Sequence, residues 1–418
     1  MFCGSCMQDN TLARALRHAG HDATLIPTYT PIRVDEDENV SDSRVFMGGI
    51  NVYLDSALPG WSRLPGFLKS WLDRPGIVRR LTRRSSATDA AQLGWLTVDM
   101  LKGTHGPQRE EVGQLVSWLT TDLRPDLILF SNALLSGIVP SLRSKFDGPI
   151  VCLLQGDDIF LDALPDKWRQ TSVDLVRENS LHFDRLLTHS TWYADHLAES
   201  LQLPRDRFDQ IPLSLDCDVP VPTADAKPAS HARTVGYFAR LCPEKGIDNF
   251  LDAAARLLPK EPDLRFCAAG FLPELHRTWF EKRLAEVQAD VGVDRLMWSG
   301  SPQTREAKFD LLRSFDLLCV PTNYQEPKGL FVLEAALIGL PALLPNHGAF
   351  PERIAHLGHG WTYEPNSADA LDAGIREAVQ SLNSQHSADL QESVTDRCSL
   401  QVTGTNIGAL LESIRRNG

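Results

Sequence analysis

Short apolar runs alternate with amphipathic helical patterns along most of the chain, and this alternation constrains the fold more than any other feature. Thr24–Pro27, Leu127–Phe130, Ile150–Leu154 and Arg185–Thr188 read as strands separated by helices, and strands resume at Thr234, Leu264, Leu317 and Ala342. Runs this short and this apolar fit strands buried on both faces, as in parallel sheets with helical crossovers. The fold class is therefore α/β. Residues 219–233 are rich in Pro and Ala without periodicity and read as a linker. The expected organisation is a first domain over 1–217, a linker over 218–233, a second domain over 234–395, and a C-terminal piece over 396–418 with a helix near Asn406–Arg415. A length of 418 residues with 43% apolar content suits two domains.

Two stretches carry the chemistry. Residues 236–246 (GYFARLCPEKG) contain a strand end and a turn, followed by an amphipathic helix over Ile247–Leu258. The turn holds Arg240 and Lys245, and in a parallel α/β sheet such a turn lies at the carboxyl ends of the strands, where ligands bind. A planar guanidinium and a compact ammonium together meet the charge of a diphosphate. Residues 326–334 (EPKGLFVLE) lead into a buried helix over Leu330–Ile338, closed by Gly339 and Pro341. The first amides of that helix, at Gly329, Leu330 and Phe331, form an anion site with the positive end of its dipole. Glu326 precedes the helix and Glu334 lies about 7 Å along its axis. The two carboxylates flank the anion site, one suited to ribose hydroxyls and the other to a sugar ring.

The Arg-x4-Lys-Gly turn, the Glu-x7-Glu segment and the loop Gly348–Glu352 (GAFPE) resemble family 4 of the retaining glycosyltransferases, the group 1 enzymes with glycogen-synthase-like and mannosyltransferase-like members. The likeness covers nearly the whole chain. It implies the GT-B arrangement, two Rossmann-like domains facing one another across a cleft, with the last helix packing back on the first domain. It further implies that Arg240 and Lys245 bind the diphosphate, Glu326 the donor sugar, Glu334 the ribose, and the amides around Gly329, Leu330 and Phe331 the phosphates. The donor is then a nucleotide-diphosphate sugar, and the acceptor a hydroxyl of a glycan, a lipid-linked sugar or a small molecule, held by the N-terminal domain. Neither a metal nor a cofactor is expected, and attack occurs on the face the leaving phosphate departs from, with that phosphate as base.

The sequence departs from the family at three places. Pro327-Lys328-Gly329 replaces a Gly-Phe-Gly, so Lys328 adds a cation that suits a phosphate or an acidic sugar, unless it is an ordinary solvent-facing loop lysine. Gln155, in Gln155–Asp158, stands where many relatives carry a histidine near the transferred sugar; it hydrogen-bonds a sugar but carries no proton. Met1–Met7 already reads as the Gly-rich turn, with Gly4 as the residue near the donor phosphate, a helix over Gln8–Ala19 and Gly20 as its cap. The strand that ordinarily precedes this turn is missing. The expectation is a first sheet one strand short, with Thr24–Pro27 and Leu127–Phe130 beside the gap, and a working chain that begins upstream of Met1. A non-catalytic sugar-nucleotide-binding protein with a degenerate N-terminal domain is the competing reading; an isomerase on the same scaffold lacks paired acid and base residues.

Composition narrows the partners. A net charge of −12 argues against nucleic-acid binding. No apolar run of membrane-spanning length and no leader pattern is present, so the expected location is the cytoplasm, or the inner membrane face as a peripheral protein. Cys152, Cys217, Cys242, Cys267, Cys319 and Cys398 stand alone in apolar contexts, as reduced core residues do. Cys3 and Cys6 with His18 and His21 imitate a zinc ligand count, but the histidines are too close in sequence for the usual spacing. Asp35-Glu-Asp37 reads as a solvated charge run rather than a metal motif. His189 ends a strand and is left unassigned. Between Trp61 and Arg84 the chain places seven cations against one anion, interleaved with Trp61, Phe67, Leu68, Trp71 and Leu72. Such a stretch suits an anionic membrane surface or forms a solvated insertion.

Overall fold

The computed structural model describes residues 4–28, 46–47, 90–219 and 232–417. The chain divides into two compact units, one from the described residues between Ser5 and Pro212 together with 404–417, the other from Leu213–Thr403. The expected linker lies mostly outside the described residues, as do Cys3, Asp35-Glu-Asp37 and the basic stretch 61–84.

In the first unit the described elements are α1 (Gly4–His18), α2 (Ala90–Leu101), α3 (Arg109–Trp118), β1 (Ile128–Phe130), α4 (Val139–Arg143), β2 (Ile150–Leu153), α5 (Asp157–Asp162), α6 (Asp166–Ser180), β3 (Arg185–Thr188), α7 (Thr191–Ser200) and β4 (Phe208–Gln210). The strands form one parallel sheet in the order β1-β2-β3-β4, with Ile128 opposite Ile150, Val151 opposite Arg185 and Leu186 opposite Phe208. Successive side chains of a strand point to opposite faces, so β2 feeds two cores. Ile150 and Cys152 pack with Leu142, Val176 and Tyr193. Val151 and Leu153 pack with Leu12 of α1 and with Ile407, Leu411 and Ile414.

Those last three residues belong to the final helix, α15, treated below. Gly404 meets α1 so closely that a Cβ there would lie 2.0 Å from the Ala15 carbonyl oxygen. The apolar face of the sheet is thus covered by the two ends of the chain.

Two expectations for this unit are corrected. The helix begins at Gly4 rather than Gln8, so Gly4 is an exposed first helical residue and not part of a preceding turn. Thr24–Pro27 is not a strand among the described residues, although Leu25 within it and Thr28 beside it are both bridge residues, Thr28 opposite Phe46. Pro27 cannot donate to a ladder, which limits pairing there. β1 has one strand neighbour among the described residues, and Leu127 and Leu129 are partly buried against the α1 and α15 residues.

The second unit contains β5 (Arg233–Phe238), α8 (Ile247–Leu257), β6 (Leu264–Ala269), α9 (Glu274–Val291), β7 (Leu296–Trp298), α10 (Arg305–Arg313), β8 (Leu317–Cys319), α11 (Leu330–Leu337), β9 (Ala342–Pro345), α12 (Phe350–Leu357), β10 (Trp361–Tyr363), α13 (Ala368–Ser381) and α14 (Ser384–Cys398). α15 (Leu400–Asn417) begins in this unit and continues into the first, six residues earlier than its expected start. Thr304 and Ser367 cap α10 and α13 by accepting from the amides of Ala307 and Ala370. The sheet is parallel throughout, in the order β10-β9-β8-β5-β6-β7.

Candidate functional site

The strand order of the second unit locates the site. From β5 the chain proceeds outward to β6 and β7, then returns to β8 on the other side of β5 and proceeds outward to β9 and β10. The reversal between β5 and β8 is a topological switch point, and in open α/β sheets ligands bind there, beyond the carboxyl ends of the strands. The loop after β5 carries Arg240 and Lys245, and the loop after β8 carries Glu326.

These two loops are tied to one another. The Asn323 amide donates to the Glu244 carbonyl at 3.0 Å, and the Asn249 side chain donates to the Pro321 carbonyl at 3.2 Å. Gly246 has φ +70°, and a Cβ on it would lie 1.6 Å from the Pro321 carbonyl oxygen, so only glycine permits the contact. The buried Tyr237 hydroxyl lies 2.8 Å from the Arg240 carbonyl and 3.2 Å from that of Lys245, fixing the cation-bearing turn.

Glu326 is 4% exposed. Its Oε2 accepts from Lys245 Nζ at 2.6 Å and from the Tyr324 hydroxyl at 2.7 Å, and its Oε1 lies 3.3 Å from the Gly329 amide. Lys245 also donates to the Tyr324 hydroxyl and sits 4.7 Å from that ring. Burial by itself raises the Glu326 carboxyl pKa, but the Lys245 charge and hydrogen bond, the Tyr324 hydroxyl and the Lys328 charge outweigh it and lower the group to about 2. Arg240 is exposed at the edge of this cluster, its Nε 3.3 Å from Cys242 Sγ.

Helix α11 starts at Leu330 behind Gly329, and its apolar sequence is buried from Val332 to Leu337. Glu334 is 7% exposed and accepts from Lys308 Nζ at 2.8 Å, a pair buried on both sides. Lys328 is buried as well, so it is not the solvent-facing loop lysine that the sequence left open. Its carbonyl accepts from Arg353 Nε at 2.8 Å. Lys245, Lys328 and the buried Arg353 all stand close enough to act on the Glu326 carboxylate or its supporting turn, giving the switch point an excess of positive charge suited to an anion.

Sequence reasoning missed Tyr324, Tyr237, Lys308 and Arg353. Two of these carried a readable signal. Tyr324 stands two residues before Glu326 on extended chain, hence on the same side. Lys308 lies on the apolar stripe of α10 with Arg305, Phe309 and Leu312, an unusual place for a lysine without a partner.

Gln155 belongs to the first unit, while Gly4, the first residue of α1, groups with the second. Gln155 is 7% exposed; its Nε2 donates to Asp9 Oδ1 of α1 at 2.7 Å, so this amide is engaged within the unit. Asp157 Oδ1 and Oδ2 accept from the Ala133 and Gln155 amides, both at 3.1 Å, and burial outweighs these bonds, raising its carboxyl to about 6. Asp158 accepts from the Tyr193 hydroxyl at 2.5 Å and pairs with His196 at 3.3 Å, which raises the imidazole pKa. His189 is buried, with Nδ1 3.3 Å from the Ile211 carbonyl. Among the described residues no His, Cys, Asp and Glu group of three or more is placed to hold a metal ion, and no helix is long and apolar enough to cross a membrane.

Two parallel-sheet α/β units with a ligand-binding switch point are the architecture of the GT-B fold. Structures of that class superpose over almost the full length: sucrose-phosphate synthase from Thermosynechococcus elongatus at 17% identity and TM-score 0.65, covering 97% of this chain and 92% of that one, and the Anabaena protein HepE, solved with UDP and glucose, at 17% identity and TM-score 0.62, covering 93% and 99%. Residues 224–393 match the family model for glycosyl transferases group 1. Similar curated proteins include D-inositol 3-phosphate glycosyltransferase of Mycolicibacterium smegmatis, 29% identical over 41% of this chain and 40% of that protein. The lipopolysaccharide core mannosyltransferase LpsB of Rhizobium meliloti is 36% identical over 29% and 33%. The match thus spans well under half of these two relatives. D-inositol 3-phosphate glycosyltransferase of Rhodococcus jostii is 26% identical over 82% of this chain and 83% of its own length.

Proposed function

We propose that the protein transfers a glycosyl group from a nucleoside-diphosphate sugar to a hydroxyl acceptor, with retention of anomeric configuration and without a metal ion. The observation that carries this reading is the buried Glu326 carboxylate held by Lys245 and Tyr324 at the start of α11, between a diphosphate-sized field of cations and a helix N-terminus. The similarity to proteins named as inositol-phosphate glycosyltransferase and mannosyltransferase, and to a structure containing UDP-glucose, supports it.

In this reading the α11 amides, Arg240, Lys245 and Lys328 hold the diphosphate, Glu326 takes hydroxyls of the transferred sugar, and Glu334 takes the ribose. As the bond from the anomeric carbon to the phosphate oxygen breaks, negative charge grows on the diphosphate, where the cations and amides are already in place. The acceptor oxygen bonds the same face of the anomeric carbon and gives its proton to the departing phosphate. No observation among the described residues favours a non-catalytic binding protein. We also infer from sequence that 61–84 contacts anionic lipid, which places the enzyme at a membrane surface.

The test is a thermal-shift screen of the full chain over UDP, GDP and ADP, followed by transfer and donor-hydrolysis assays with the matching sugar nucleotide, with and without EDTA. One diphosphate should stabilise the protein by about 2.7 kcal/mol at a hundred times its dissociation constant. Activity should survive chelation. Binding without any turnover leaves the non-catalytic reading standing, and loss in EDTA restored by magnesium or manganese removes metal independence.

A further inference from the structure

The segment that carries Glu326 is held from a second side by the turn after β9, and this involves a residue outside both sequence motifs. The Ala349 amide donates to the Glu326 carbonyl at 2.8 Å. Gly348 has φ +61°, and a Cβ there would lie 2.7 Å from both the amide nitrogen and the carbonyl oxygen of Glu326, so the two backbones are in direct contact. His347 supplies the third attachment, with Nε2 3.2 Å from the carbonyl oxygen of buried Thr322.

The chemistry of that contact fixes the imidazole. A carbonyl only accepts, so Nε2 carries the hydrogen. Nδ1 is then the bare nitrogen, and it is buried with no hydrogen-bond partner among the described residues. Burial disfavours the cation, so the ring is the neutral Nε2–H tautomer. The bond lands two residues before Tyr324 and four before Glu326. Thr322 itself bonds the Tyr324 carbonyl through its hydroxyl at 3.0 Å. The other side of the same segment is the face tied to the Lys245 turn, so His347 closes a clamp on the strand-like stretch that aims Tyr324 and Glu326.

We propose that His347 is a positioning residue for sugar recognition, setting through the Thr322 carbonyl where the Tyr324 hydroxyl and the Glu326 carboxylate stand. This rests on the donor-site reading above. The role concerns the sugar more than the diphosphate: Arg240 and the α11 amides are not on the clamped stretch, and Lys245 meets it only through the side chains of Tyr324 and Glu326, so the larger loss falls on the sugar.

The test compares wild type with His347→Ala, His347→Gln and Glu326→Ala in the full chain. The readout is affinity for UDP, GDP and ADP beside affinity for UDP-glucose, GDP-mannose and ADP-glucose, with thermal unfolding as the folding control. His347→Ala should weaken the sugar nucleotide relative to its diphosphate by about tenfold, the size of one hydrogen bond. His347→Gln, whose amide N–H reaches the same carbonyl, should restore the ratio to within about threefold. An unchanged ratio in His347→Ala, or an equal loss for diphosphate and sugar nucleotide in both His347 variants, overturns the proposal. If Glu326→Ala also leaves the ratio unchanged, the donor-site reading fails; if Glu326→Ala loses it while His347→Ala does not, only the role of His347 fails.

Discussion

Lys245 Nζ stands 2.6 Å from Glu326 Oε2, joining the loop after β5 to the loop after β8 through a partly buried lysine and a buried glutamate at the switch point. The lysine charge helps hold the glutamate carboxyl low against its burial. A pair of this kind is weak evidence for stability and better evidence for a site that presents charge.

Glu326→Ala should abolish transfer while leaving diphosphate affinity largely intact, whereas Lys245→Met should weaken both. In Lys245→Met the carboxyl loses its principal stabiliser and climbs from about 2, because burial is then unopposed. The sign for stability follows from a folded value below the ordinary one of 4.5: the group stabilises the native state above that pH and the contribution, on the order of 3 kcal/mol, is lost as pH falls toward 2. Acid unfolding of wild type and Lys245→Met measures it. Normal transfer by Glu326→Ala would remove that residue from the site.

Lys308→Met should destabilise the second unit by about 3–5 kcal/mol, since it strands the buried Glu334 carboxylate. Adding Glu334→Leu should recover most of the stability but not nucleotide binding. Chemical denaturation and a diphosphate titration of the single and double variants separate the structural effect from the ribose contact. Full binding by the double variant would show that Glu334 touches no ligand.

Asp157 predicts an opposite pH trend. Its folded value near 6 lies above the ordinary 3.8, so the native state holds the proton more tightly than the unfolded chain. Stability from this group is present at low pH and is lost as pH rises from about 4 to 6, by on the order of 3 kcal/mol. The difference in unfolding temperature between wild type and Asp157→Asn, followed from pH 4 to 7.5, should shrink or reverse over that window. A flat difference would show that the group titrates normally.

The basic stretch should sediment the protein with anionic vesicles at low salt and release it as ionic strength rises. Replacing Arg79, Arg80, Arg83 and Arg84 by Ser should remove the effect. Equal sedimentation with neutral vesicles would assign it to the aromatic residues alone.

What was legible in the sequence follows what each element buries. β2, β3, β5, β6, β8 and β9 have neighbours on both sides and read as mostly apolar runs. β4, β7 and β10 escaped: β4 and β10 border the sheets with mixed sequences, FDQ and WTY, and β7 is a three-residue edge strand. Glu326, Glu334, Arg240 and Lys245 were visible because a helix start and a strand-end turn constrain them locally. Arg353 and His347 were not, because their partners Lys328 and Thr322 lie twenty-five positions away in the chain and only the sheet order brings them together; Lys308 stood out as a lysine on an apolar stripe, but its partner Glu334 was hidden for the same reason.

The helix α15 leaves the second unit at Thr403 and finishes the first, where Ile407, Leu411 and Ile414 cover the face of β2 and β3. During synthesis the first unit therefore emerges from the ribosome with that face covered by α1 alone, and Ile407, Leu411 and Ile414 are translated only after the whole of the second unit. At ordinary elongation rates of about 5–20 residues per second, the first sheet waits for on the order of ten seconds or more for the rest of its cover. The order in which this core is completed is set by where one helix was placed in the sequence.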